Sequence, residues 1–166
     1  QARLDPAGRP ILLEDQDRSR WDEGLIRRGL ESLERAETLA AQGRPVGRYY
    51  LQAAIASRHA RARTAAETDW RSIAQLYDVL AEAAPGPVVE VNRAVAYGRA
   101  FGPEAGLAVL AELPAGALAG SHLLPSVRGD LLARAGRHLE AAVEFRSAAA
   151  LTKNAGEQAV LLHSAI

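Results

Sequence analysis

The sequence predicts an all-helical protein: an α-solenoid of about three helical hairpins, preceded by a long helix and closed by a short one. Three observations predict it. Apolar and small residues recur at three- and four-residue spacing along most of the chain, which places them on single helical faces. Ala, Leu and Arg are abundant while β-branched runs are scarce, a composition that favours helix over strand. The pair Glu104-Ala105 also returns as Glu140-Ala141, 36 residues later, close to the spacing at which one hairpin repeats. A single hairpin cannot bury its own apolar face, so neighbours of the same kind are expected.

The 166 residues are enough for a real core, and 20 basic residues are balanced by 20 acidic ones. That balance argues against a nucleic-acid-binding arm. With no Cys in the chain, disulfides, thiolate zinc clusters and thiol chemistry are excluded. There is no Met, and the chain starts at Gln1, so it reads as a fragment or a processed piece. No apolar run approaches the ~18 residues needed to span a membrane, and no signal-peptide pattern is visible. Neither a membrane nor direct nucleic-acid contact is expected.

The elements follow in order. Residues 1–18 read as a strap or linker, with a turn at Asp5-Pro6-Ala7-Gly8 and an extended stretch at Pro10–Glu14. Asp15, Asp17 and Ser19 compete to cap the next helix, which is expected from Arg20 to about Gln42, with Trp21, Leu25, Leu33, Ala36 and Ala40 on one side. Glu23, Arg27, Glu31 and Arg35 form a ladder of i,i+4 charges suited to a solvated face. After the Gly43–Gly47 loop, a second helix is expected from about Arg48 to Ala62, with Leu51, Ile55 and Ala62 inward. A third runs from near Asp69 to near Ala84 on a stripe of Trp70, Ile73, Tyr77 and Leu80, and Thr64–Glu67 fits a capping box that would start it early. Pro85-Gly86-Pro87 is a stop.

Val88–Ala100 and Pro103–Leu113 then form a second hairpin, and Pro114–Gly120 a loop, with Ser121 as N-cap of the next helix. In the third hairpin, Leu131 and Leu132 give one helix its apolar face, Gly136 and Arg137 break it, and Glu140–Leu151 carries Ala141, Phe145, Ala148 and Leu151 on one face. Small residues at Gly129, Ala141 and Ala148 would let the helices close up around Phe145. Asn154–Ile166 closes the chain. This hairpin resembles a tetratricopeptide unit, with Lys153 where that family usually places Pro. The resemblance implies imperfect repeats at about 48–84, 88–113 and 121–152 within a domain spanning 19–166.

No catalytic constellation is found. His59, His122, His138 and His163 have no metal-ligand spacing on a helix, and no nucleophile elbow, phosphate loop or dinucleotide fingerprint occurs. His122 and Asp130, eight residues apart on one helix, would lie roughly 12 Å apart along its axis, too far for a direct acid–base pair. No enzymatic activity, metal or cofactor is expected.

The polar residues are suited instead to interaction. Arg58, His59, Arg61 and Arg63 make the densest basic patch, suited either to an anionic contact or to a solvated helix end. A polar stripe recurs on the first helix of each repeat: Gln52, His59 and Arg63, then Glu90, Arg93 and Tyr97, then His122, Ser126 and Asp130. In repeat stacks such stripes line a concave groove. Asn92 and Arg93 interrupt a small-residue surface, which suits either a structural polar network or a ligand contact. At Asp15–Asp22 more charge is packed around a helix start than capping requires. Asp15, Asp17, Arg18 and Trp21 therefore stand out, with Arg18 expected to pair with an Asp and Trp21 to anchor the segment on the second or third helix. A rigid joint and a simple cap both fit.

The string LLEDQDRSRWD at 12–22, with YYLQAAIASRHARA at 49–62, ETDWRSIAQLYDVL at 67–80, PVVEVNRAVA at 87–96 and HLLPSVRGDLL at 122–132, resembles the C-terminal extension of certain bacterial extracytoplasmic-function sigma factors. The resemblance implies a cytoplasmic protein-interaction domain that modulates how a sigma factor uses RNA polymerase. It implies as partners the sigma factor's own DNA-binding regions and the polymerase core, together with an unknown protein or small-molecule signal. A metabolite sensor, binding its ligand in the groove around Arg93, His122 and Asp130, is the alternative.

Overall fold

The computed structural model describes residues 11, 15–43 and 47–165. Apart from Ile11, the expected strap at Pro10–Glu14 lies outside the described residues, as does the turn at Asp5–Gly8. The chain divides into two compact units, one ending at Ala84 and the other starting at Pro85. Among the described residues every regular element is a helix, as the composition and spacing predict.

The first unit holds a 3-10 turn at Arg18–Arg20, then α1 (Glu23–Ala41), α2 (Arg48–Arg61) and α3 (Trp70–Ala83). The first helix starts later than expected. Asp17 caps the short turn by accepting from the Ser19 amide, Trp21 is extended, and Asp22 caps α1 by accepting from the Leu25 amide. Two aspartates thus start two elements where one cap was expected. Within α1 only Leu33 is buried, and Leu25 is 60% exposed. The core lies instead between α2 and α3, where Leu51, Ala54, Ile55, Ile73, Ala74 and Leu80 are buried. Tyr77, expected inside, is only half-buried, and that burial raises its hydroxyl pKa.

The capping box at Thr64–Glu67 is corrected as well. Glu67 accepts from the Arg63 amide and so closes a turn before the helix, while Asp69 caps α3 by accepting from the Ser72 amide. The nearer carboxylate wins because its oxygen already lies over the first free amides.

The second unit contains α4 (Pro87–Phe101), α5 (Pro103–Ala111), α6 (Leu123–Arg134), α7 (His138–Leu151) and α8 (Ala155–Ser164). Pro87 and Pro103 each open a helix, where a missing amide costs nothing. The hairpins α4–α5 and α6–α7 pack through two clusters. Val91, Ala94, Val109, Leu110 and Leu131 form one; Leu132, Ala141 and Phe145 form the other. Glycine makes both possible. A Cβ at Gly129 would sit 2.8 Å from the Phe145 ring, and one at Gly106 would sit 2.6 Å from the Ala94 carbonyl and 2.9 Å from Leu131. A Cβ at Gly98 would collide with the same Leu131 side chain. Phe145 (8% exposed), Ala141, Gly129 and Leu132 are all buried as the hairpin pattern predicts.

The α6–α7 turn is a Schellman closure. The Arg137 amide reaches back to the Leu132 carbonyl at 2.9 Å and the Gly136 amide to Ala133 at 3.0 Å, with Gly136 at φ +77°. Ser121 accepts from the Leu123 amide at 3.2 Å, although the N-cap position itself falls on His122, which does not cap with its side chain.

Candidate functional site

The polar groups of the first unit converge on the carboxyl end of α2. Four carbonyls at such an end lack helical partners and carry the negative pole of the helix. Arg18 answers two of them: its Nη1 donates to the carbonyls of His59 and Ala62, each at 2.8 Å. Its Nη2 donates to the buried Thr68 hydroxyl at 3.3 Å. The guanidinium carbon lies 5.1 Å from the centre of the Trp21 ring, a cation–π distance. The expected pairing of Arg18 with an aspartate is therefore corrected. Asp17 spends its carboxylate on Ser19, whose hydroxyl and amide both donate to it and hold its pKa below the usual value. Asp15 is exposed.

The His59 ring lies edge-on to Trp70, centroids 5.1 Å apart at 76°. Burial first, and the nearby Arg18 charge second, push its pKa below the ordinary value. Its Nδ1 and the Arg18 Nε are buried and have no hydrogen-bond partner among the described residues. Trp21, half-buried, faces the end of α2. With Arg18, Ile26, Leu30 and residues 60–63 it lines a cleft of about 580 Å³ between α1 and α2. Arg63 and Gln52 are exposed.

In the second unit Glu90 accepts from Arg93 at 3.1 Å. The Arg93 guanidinium lies 5.1 Å from the Tyr97 ring, and Tyr97 meets Phe101 edge-on at 5.3 Å. These four residues follow one another along one face of α4, and Asn92 beside them is half-buried. His122 Nε2 lies 3.7 Å from Glu157, which also accepts from the Thr152 hydroxyl at 2.8 Å. Ser126 donates its hydroxyl to the His122 carbonyl at 2.7 Å, and Asp130 is half-buried.

Sequence spacing brought out each stripe but missed the tertiary link from Arg18 to α2. It also missed a cleft of about 420 Å³ formed by Leu107, Arg128, Leu132, Arg137, Val143 and two glutamates. Charges three residues apart at Arg137 and Glu140, which meet at 2.7 Å, were the available signal. Among the described residues no group of three or more acidic, His or Cys side chains is placed to hold a metal ion. Likewise, none of their helices is long and apolar enough to cross a membrane.

Residues 1–37 match a family of unknown function, DUF6596. An uncharacterized protein of Rhizobium meliloti (strain 1021) is 42% identical over 161 residues, which is 97% of this chain and 37% of the relative. The chain thus spans little more than a third of the curated protein it matches. No solved structure matches it significantly.

Proposed function

We propose that the chain is a regulatory interaction module of an alternative sigma factor, and that it adjusts how that factor uses RNA polymerase. One observation carries the reading. The segment most like the sigma-factor string, Asp15–Asp22, is seated on the first hairpin through main-chain carbonyls rather than through a replaceable side-chain pair. A contact of that kind fixes where a neighbouring segment enters, whatever the hairpin's surface residues are. Two further points support it: helical hairpins suit protein contacts better than chemistry, and the aligned relative is much longer than this chain. The partners in this reading are the sigma factor's own promoter-binding regions and the polymerase core, in the cytoplasm.

The experiment is transcription by polymerase core with a sigma factor carrying this chain, intact or with Arg18→Ala or Trp21→Ala. Both substitutions should reduce promoter-dependent transcript while the unit from Pro85 onward melts unchanged. Undiminished transcript from both would sink the proposal. Saturable stabilisation by a metabolite, with no effect of Arg18, would favour the sensor reading instead.

A further inference from the structure

The chain has two tryptophans, and both border one cluster in the first unit. Trp21 lies against the Arg18 guanidinium, and Trp70 lies against the His59 ring. Arg18 holds the carbonyl of the same residue whose imidazole feels its charge. Arg18 and Trp70 act directly on that imidazole, and the neighbouring elements carry the following charged and aromatic groups. The short turn presents Arg18. At the start of α3 stand the uncharged Trp70 ring and Asp69, whose carboxylate is engaged by Ser72 at 2.6 Å. From α1 comes Glu34, which lies 4.0 Å from Arg61. From α2 and the residues just after it come Arg58, Arg61 and Arg63. Among the described residues no carboxylate pairs with either His59 or Arg18.

A neutral imidazole tolerates the guanidinium beside it. A protonated one would place two cations in a partly buried site with no anion between them, and the buried Nδ1 would gain no acceptor. We propose that Arg18 and His59 form an acid-released latch: with His59 neutral the guanidinium stays on the end of α2, and a proton on His59 expels it, freeing the Arg18–Trp21 turn from the hairpin. The inference concerns the first unit alone and stands apart from the sigma-factor reading.

Above the ordinary His value of 6.5, the ring is neutral whether the latch is open or closed, so pH has no leverage there. Below 6.5 the open state takes up a proton that the closed state refuses, and the latch weakens until the closed-state ring also titrates. The latch therefore holds near neutrality and above and weakens as pH falls below the ordinary His value.

The test uses the full chain with Trp70→Phe, so that emission comes from Trp21 alone. Lowering pH from about 8 to about 5 should shift that emission to the red in one step while far-ultraviolet circular dichroism stays constant. Adding His59→Gln should abolish the step. Should Trp70→Phe not fold, amide exchange in the unmodified chain serves instead. The Arg20 and Trp21 amides, bonded to the Asp17 and Arg18 carbonyls, should lose at least about tenfold protection in acid relative to intrinsic rates. His59→Gln should keep that protection. A step that survives His59→Gln, a step that coincides with loss of helix, or no step at all would overturn the latch.

Discussion

The carboxyl ends of α6 and α2 are finished by opposite means. At α6 the chain turns back on itself: Gly136 takes a left-handed φ, and the amides of Gly136 and Arg137 return to the last carbonyls. At α2 the chain leaves through Ala62 in an extended conformation, and the carbonyls are met by a side chain 41 and 44 residues earlier in sequence. The first solution needs only its own neighbours and forms wherever the hairpin forms. The second exists only once Arg18 has been brought home, so it couples a distant segment to the helix it ends. One is a stop; the other is a joint.

The largest effect should come from removing what backs the local solution. Phe145→Ala empties the space against Gly129 and should cost roughly 3–5 kcal/mol in urea denaturation. A much smaller loss would mean that the hairpin does not depend on that ring. Arg18→Ala should cost about 1.5–3 kcal/mol, from lost charge-assisted bonds and orphaned carbonyls. Tryptophan emission reads only the first unit, so this loss should appear there while the second unit's denaturation stays put. Arg18→Lys should recover only part of it, because an ammonium cannot fork between carbonyls and a hydroxyl. Gly136→Ala should cost about 1–2 kcal/mol for forcing a side chain into left-handed geometry; if it is neutral, the turn has another way to close. Arg137→Ala, which breaks exposed contacts to Glu140 and Glu104, should leave the melting temperature unmoved.

The same contrast explains what could be read from the sequence. The α6–α7 hairpin was legible because its signals are local: Gly136 as a break, Glu140-Ala141, and Phe145 three and four residues from small partners. The helices α2, α4 and α5 were placed to within a residue or two for the same reason. The start of α1 was not: Asp15, Asp17 and Ser19 compete in the sequence, yet Asp22 supplies the cap, and only geometry decides which oxygen covers a free amide. Arg18 was singled out, but its partner was misread as an aspartate. Carbonyls leave no mark in a sequence, whereas acidic residues do. Tyr77 lies on the right stripe, yet periodicity gives direction and not depth.

Leu131 also restricts how the chain can vary among relatives. Its side chain fills the space that Cβ atoms on Gly98 and Gly106 would need, so the three positions share one volume across three helices. Selection cannot tune them separately. A methyl group gained at 98 must displace the Leu131 side chain or be matched by a smaller residue at 131. At 106 even that concession fails, because the Ala94 carbonyl blocks the same space with main chain. Among relatives, 131 and 98 should therefore exchange size as a pair while 106 stays glycine, and a chain that breaks this pattern should have opened the α4–α6 contact.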